Sequence, residues 1–589
     1  MRAAKETGRA PRTKPSTEQG AASSILTKLV VAAIDFGTTY SGYAYSFLSD
    51  FKNDPLTIFA NMSWNSGGDE GLVTDKTPTS ILFEPNGNFH SFGYQAENKY
   101  DNLVNDDEHK DWYYFSRFKM TLHGQTKIRR DMKLKDDQGH QMPAMKVFSE
   151  AIKYLKTHLW KSFSEQRTDI KDTDIHWVIT VPAIWDDGAK QFMREAGQEA
   201  GIPNNQLDLA LEPEAAAIYC KAISVKTDGS SFEPGTRFIL ADLGGGTADI
   251  TIHEVGESGT LIELIAPSGG PWGGTKVDDA FDNLLKDVFG KHVVSSFIQK
   301  GKAGERDLQR EFELKKRTCP VEDTIRFRVL NKLTKMLIKT GKALEQTLSG
   351  TIYEGHVMPK KHQVHISTTL MSKLFEDVIM KIIQHMQDML THHPEVNIIL
   401  MVGGFSESDV IKKAVKEAFP HKTVIIPKEA RLAVVKGAVM YGHNKSVIIS
   451  RSMPFTYGIS VAVPFDANKH PESKKTYKGG SYKCEDNFKV FIRAGDTVIP
   501  GQTTIQHVCN SSTVSSANVE IYRTKSKDPI YTDEPGSGMI GKIELKLNNT
   551  SAEIKPIQIT MSFGNTELSV QANEQGTNND VVARFNFLH

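Results

Sequence analysis

The chain has 589 residues, of which 39 % are hydrophobic and 24 % charged, material for more than one buried core. Lysine plus arginine (71) balance aspartate plus glutamate (71), and this zero net charge excludes the basic excess expected of a nucleic-acid binder or of a protein held to an acidic membrane surface. Cys220, Cys319, Cys484 and Cys509 show no C-x-x-C spacing, and no apolar run reaches the ~18 residues of a membrane span, so a reduced, cytoplasmic location is expected.

Residues 1–27 are basic, rich in Ser, Thr and Gly and poor in apolar side chains, which predicts a disordered tail. Glu6, Glu18, Pro11 and Pro15 spoil the amphipathic helix of a mitochondrial presequence. Residues 29–47 then read as an apolar strand ending at Asp35, a turn through Gly37, Thr38 and Thr39, and an alternating strand carrying Tyr43, Tyr45 and Phe47. Further on, the aromatic cluster at 112–120, WYYFSRFKM, reads as core. Residues 146–166 carry helical spacing. WVITVPA reads as a strand stopped by Pro182, and LALEP brings Glu212 to a strand end, where doubly wound sheets place their chemistry.

Residues 237–255, RFILADLGGGTADITIHEV, repeat the plan of residues 29–47: a strand ending at Asp242, a turn through Gly244, Gly245, Gly246 and Thr247, and a second strand carrying Asp249. Glycines at such a turn let backbone N–H groups approach an anion without a Cβ in the way, so the natural ligand is a phosphate. A repeated strand-Asp-Gly-Thr hairpin implies two lobes, each offering a phosphate turn to a shared cleft. Asp35, Asp242, Asp249 and Glu212 around one cleft call for a cation, and magnesium held through its waters suits them. SGGPWGGTKVDDAFDNLL (268–285), with Gly273 and Gly274, reads as a glycine turn feeding a helix. Glu313, Lys316 and Arg317 share a face of the next helix. NIILMVGG reads as a buried strand whose Gly403 and Gly404 permit close approach of a ligand, with Phe405 beyond. From 454 onward, short alternating Thr-, Ser-, Val- and Ile-rich segments with turn signals read as a β-sandwich.

DFGTTYSGYAY and DLGGGTADI resemble the two phosphate loops of the actin, sugar-kinase and seventy-kilodalton heat-shock superfamily. VITVPAIWDDGAKQFMREAGQEAG (178–201), LEPEAAAIY (211–219), ILMVGGFSES (399–408) and KGAVMYG (436–442) narrow the resemblance to the heat-shock branch, and within it to the heat shock 70 kDa protein 12 subfamily. The resemblance spans about residues 29–445. It implies an α/β fold in which a two-lobed, actin-like (ribonuclease H-like) ATPase domain at 28–445, a linker at 446–453 and a β-sandwich at 454–589 follow the tail.

It also implies ATP/ADP and Mg2+ as cofactors and unfolded peptides, protein clients and co-chaperones as partners. Asp35, Asp242 and Asp249 would hold the hydrated metal, and Glu212 would orient a water. Thr38, Thr39, Thr247 and the glycine N–H groups would bind phosphates, and Tyr40 would also contact the cofactor. Glu313, Lys316, Arg317, Gly403, Gly404 and Phe405 would form the nucleoside end. Four departures stand out. Glu97 occupies the place of a lysine that faces the transferred phosphate, Glu407 that of an arginine that stacks on adenine, Pro320 that of a serine, and Arg451 that of an acidic connector residue. Three readings follow: an ATP-binding, partner-controlling protein with slow hydrolysis, a fully active ATP-driven chaperone, and a small-molecule kinase of the same superfold. Without a helical lid, the C-terminal domain is expected to exchange peptides fast, and Arg451 to uncouple it from the nucleotide.

Overall fold

The computed structural model describes residues 28–65, 73–125, 128–164, 170–227, 232–300, 302–318, 324–511, 513, 515–547, 554–575, 583–584 and 586–588. The expected tail at 1–27 and Pro320 lie outside the described residues.

Two sheets of matching order organise the part of the chain before residue 445. In the first, Leu207–Leu211, Ile175–Val181, Val30–Phe36, Tyr40–Phe47 and Phe59–Ala60 lie side by side. In the second, Thr423–Ile425, Ile398–Val402, Arg237–Leu243, Ala248–Val255 and Leu261–Gly270 follow the same sequence of parallel neighbours, hairpin and edge. The repeated hairpins therefore occupy equivalent places in two lobes. Val30–Phe36 and Ile175–Val181 are buried at every position, as strands covered on both faces by helices must be, which is why they read as unbroken apolar runs.

One core fills each lobe, and a third lies between them. The third is built on the helices Glu212–Thr227 and Ala433–His443. They approach so closely that a Cβ on Gly437 would stand 1.6 Å from the Ala215 carbonyl oxygen, a crossing open only to glycine. The Ala215–Ala216–Ala217 run supplies the opposite small surface, so neither helix moves independently of the other.

Beyond residue 454 the chain forms a five-stranded sheet, including Thr456–Pro464, Ser481–Ile492, Ser516–Thr524 and Gly538–Lys546, and a four-stranded sheet including Thr504–Asn510, Pro556–Ser562 and Ser569–Glu574. The two share one apolar cluster, with Ile459, Val519, Ile521 and Ile543 from one sheet and Ile557, Ile559, Met561 and Val570 from the other. These sheets rest on the first lobe. Tyr457 donates to Asp187 at 3.0 Å, Arg194 pairs with Glu567, Thr566 donates to the Leu209 carbonyl at 2.8 Å, and Leu588 packs into the first-lobe core.

Arg451 does not disrupt the linker. Ile448–Ser452 forms a strand that extends the second-lobe sheet in parallel with Leu261–Gly270 and pairs through Arg451 and Ser452 with Thr497–Val498. The Arg451 guanidinium is buried, donates to both carboxylate oxygens of Glu214 at 2.6 and 2.7 Å, and reaches the Gly564 carbonyl oxygen at 2.6 Å. The lost acidic connector is thus answered by a reversed pair, the acid lying on the helix Glu212–Thr227 and the base on the strand Ile448–Ser452. Removing one partner of a buried ion pair strands the other and typically costs about 3–5 kcal/mol. Glu214→Ala is accordingly expected to lower the urea midpoint of the first unfolding transition, whereas a surface substitution such as Lys413→Ala leaves it in place.

Glu263 sits beside this pair and accepts from the Ser452 N–H at 3.0 Å. Burial first and the neighbouring Glu214 second push its carboxyl up to about 8. Because the folded value lies above the ordinary value of about 4.3, the stability tied to protonated Glu263 is fully present below that ordinary value and is lost as pH climbs through about 8. Urea midpoints measured from about pH 5 to about pH 9 should fall more steeply for the wild type than for Glu263→Gln. Equal slopes would show that Glu263 does not titrate there.

Candidate functional site

A cavity of about 840 Å³ opens between the lobes, and both glycine turns line it. In the first turn the Gly37 carbonyl oxygen accepts from Thr79 Oγ1 at 2.7 Å and the Thr39 carbonyl oxygen from the Thr79 N–H at 2.9 Å. In the second, the carbonyl oxygens of Gly244, Gly245 and Gly246 accept from the N–H groups of Gly274, Thr275 and Gly273 respectively. The turns face each other closely: a Cβ on Gly245 would stand 2.4 Å from Thr39 Oγ1, and one on Gly246 2.6 Å from Thr38 Oγ1.

Four carboxylates lie at the foot of this cavity. Asp35 ends its strand, accepts from Thr180 Oγ1 at 3.0 Å and pairs with Lys76 at 2.5 Å. Glu212 pairs with Lys119 at 2.7 Å. Asp242 and Asp249 face each other across the second hairpin, and Asp249 accepts from the Ile184 N–H at 3.1 Å. Neither makes an ion pair among the described residues. Burial, then mutual repulsion, holds Asp242 well above the usual carboxylate range, and burial raises Asp249. Burial and the charges of Asp35 and Asp249, only partly offset by Lys119, push Glu212 up to about 7. Two ammonium groups against four buried carboxylates leave an excess of negative charge, which a divalent cation would relieve. The donor set is all oxygen, which fits magnesium held through its waters, since among the described residues no three acidic side chains are grouped to ligate a metal ion directly.

Of the residues expected at the site, Asp35, Gly37, Thr38, Thr39, Tyr40, Glu212, Asp242, Gly244, Gly245, Gly246, Thr247, Gly274, Glu313, Lys316, Arg317, Gly403, Gly404 and Phe405 line the cavity. Asp249 lies behind that surface, 1 % exposed, and Gly273 packs on the glycine turn itself, where a Cβ would stand 2.4 Å from the Gly245 carbonyl oxygen. Gly403, at φ +84°, lets its strand end approach Asp242, since a Cβ there would meet the Leu243 carbonyl oxygen at 2.4 Å.

At the other end, Lys316 is buried and bound to Asp278, Glu313 and the Gly274 carbonyl, so it braces the wall. Burial raises the Glu313 carboxyl, but Lys316 and Arg317 outweigh it and hold it at about 2. Arg317 lies over the Tyr40 ring at 5.2 Å. Phe405 packs in parallel with Phe375, at 6.1 Å between ring centroids, and presents only 6 % of its surface. Glu407 does not leave this end without a cation: Arg431, 3.0 Å from Asp75 and 3.6 Å from Glu407, lines the cavity.

Glu97 has a different task from the one its alignment suggested. It accepts from Ser80 at 3.2 Å and pairs across the cleft with Arg310 at 2.7 Å. Asp101 pairs with Arg306 beside it, and Arg117 crosses to Asp278 at 3.0 Å. These pairs tie the helix Tyr94–Asn105 and the Arg117 turn of one lobe to the helices Lys302–Arg317 and Thr275–Phe289 of the other. Lys76, Lys119 and Arg431 escaped the sequence reading because none belongs to a glycine motif. Lys119 did carry a signal, as a lone lysine inside an aromatic run that has to be buried.

The model for the family described as Hsp70 protein matches residues 98–477. The chain is 34 % identical to heat shock 70 kDa protein 12A of Mus musculus, over 96 % of this chain and 92 % of that protein. It is 33 % identical to heat shock 70 kDa protein 12B of Homo sapiens, over 95 % and 91 %. With the chaperone protein dnaK of Cyanidium caldarium the identity is 23 %, over 73 % of this chain and 64 % of that one. Matched along most of its length by this family and bearing the family's paired glycine turns, the chain belongs to the seventy-kilodalton heat-shock proteins as a divergent member of the 12 subfamily.

Proposed function

We propose that this protein binds ATP with magnesium in the inter-lobe cavity and that the nucleotide governs whether the C-terminal sheets stay docked and what they bind. The observation that carries this reading is the convergence of two phosphate turns and four carboxylates on one cavity. Family membership supports ATP or ADP as the ligand. Asp35, Asp242 and Asp249 would hold the metal, which would neutralise phosphate charge when bound, while Glu212 accepts a hydrogen bond from the attacking water. We further propose that 28–445 is a two-lobed actin-like unit, that 454–589 is a β-sandwich binding peptides, protein clients or co-chaperones, and that the protein is cytoplasmic. No described helix is long and apolar enough to cross a membrane. The docked linker supports nucleotide-controlled partner binding over a small-molecule kinase, in which these sheets have no role.

Calorimetric titration with magnesium and ATP should give a dissociation constant in the micromolar range or tighter, and saturating ligand at about a hundred times that constant should stabilise the fold by about 2.7 kcal/mol. Gly245→Val should abolish the heat, because its side chain would occupy the space of Thr39 and of a phosphate. Absence of heat with the wild type would overturn the reading.

Slow turnover has a different source here from a missing cation. Lys76 and Lys119 keep positive charge at the carboxylates, while the ion pairs across the cleft mouth oppose its opening. Product release is then the slow step. Single-turnover hydrolysis should outpace steady-state turnover, and Glu97→Lys, which sets two cations face to face at Arg310, should speed release of a fluorescent ADP several-fold. Equal single- and multiple-turnover rates would place the limit in the chemistry instead.

A further inference from the structure

We propose that the first lobe carries a recognition site for a short extended Asn-Phe-Leu segment, filled in cis by residues 586–588, and that this contact is a detachable clasp holding the C-terminal sheets against the lobe. The four-stranded sheet ends at a short edge strand, in which Ala583 and Arg584 pair with Ala572 and Gln571. Beyond this last rung the chain leaves the sheet and reaches the helix Asp187–Glu199 of the first lobe. There its backbone is met by side chains. The Phe587 N–H donates to Gln191 Oε1 at 2.8 Å, and the Leu588 N–H turns back to Asn586 Oδ1 at 3.0 Å. A neighbouring strand would accept such N–H groups whatever the sequence, whereas side-chain acceptors make the contact depend on which residues are present.

Recognition centres on the Asn586 amide. Its Oδ1 also accepts from Gln191 Nε2 at 2.7 Å and from an Arg130 nitrogen at 3.0 Å, while another nitrogen of the same guanidinium reaches the Leu588 carbonyl oxygen at 3.4 Å. Glu195 aims both receptor side chains, accepting from Arg130 at 2.7 and 3.0 Å and from Gln191 at 2.8 Å. The polar half of the site is therefore braced by the lobe's own residues. The apolar half lies beneath it. Leu588, 4 % exposed, joins the first-lobe core that holds Ile128 and Ala189, and the buried Phe587 sets its carbonyl oxygen 3.5 Å from where a Cβ on Gly188 would stand. Asn586 itself stays exposed and gathers three donors that an alanine could not. A site of this size binds weakly between separate molecules, but a tethered segment meets it at an effective concentration on the order of millimolar, which keeps the clasp closed in cis. The same segment supplied in trans enters only when the clasp is open.

A fluorescein-labelled peptide of residues 583–589, titrated into the full chain and followed by anisotropy, tests this. Leu588→Asp opens the clasp, and that chain should bind the peptide about tenfold or more tightly than the wild type, whose site is filled. Adding Gln191→Ala to Leu588→Asp should remove about tenfold of that affinity, and a peptide bearing Asn586→Ala should bind the opened chain correspondingly weakly. Thermal unfolding verifies that each chain is folded. If Leu588→Asp does not fold, Asn586→Ala in the chain removes only exposed contacts and should still raise peptide affinity several-fold over the wild type. A folded, opened chain that binds the peptide no better than the wild type overturns the proposal. Binding indifferent to Gln191→Ala, or to Asn586→Ala in the peptide, overturns it equally and assigns capture to unselective apolar binding.

Discussion

Four carboxylates, Asp35, Glu212, Asp242 and Asp249, are buried together at the floor of one cleft, and the rest of the molecule answers to that arrangement. Like charges at such depth repel and lose hydration, and each is pushed towards its neutral form unless a cation is supplied. The fold supplies two, Lys76 and Lys119, from segments outside the glycine hairpins. The remaining excess of negative charge favours a cation-bearing ligand, and the proposed magnesium nucleotide would meet that demand.

The same first helical turn that presents Glu212 to the cleft presents Glu214 to the linker. One residue, Pro213, separates the carboxylate that meets Lys119 from the one that clamps Arg451. The helix cannot shift alone, because Gly437 locks it against Ala433–His443 at backbone contact. A movement of Glu212 on nucleotide binding is therefore also a movement of the linker's anchor. Coupling of this kind is reciprocal, so whatever displaces the C-terminal sheets must alter nucleotide affinity by the same factor. Phe587 and Leu588, packed on the first lobe, add a second point at which the sheets hold the nucleotide-binding part.

The repeated hairpins, the strand end at Glu212 and the helix face at Glu313 were legible because each is local. A strand, a glycine turn and a carboxylate at fixed spacing declare themselves in a dozen residues. What escaped the sequence depends on tertiary placement. Glu97 aligned with a phosphate-facing lysine, and from that position alone the site lacked a cation; only the fold brings Lys119, from another segment, to the carboxylates and turns Glu97 towards Arg310. Arg451 looked like a broken connector for the same reason. Its partner Glu214 lies far away in the sequence, and a reversed ion pair leaves no local trace. Phe405 was readable as part of the nucleoside end, but its packing on Phe375 shows how much of that ring belongs to the core.

The most direct measurement is hydrogen–deuterium exchange at the linker strand Ile448–Ser452 in the free, ADP-bound and magnesium-ATP-bound protein. If Glu214 links the cleft to the linker, the amides of this strand exchange more slowly with ATP than with ADP, and Glu214→Gln removes the difference. Identical exchange in all three states, with nucleotide binding verified on the same samples, would contradict that link.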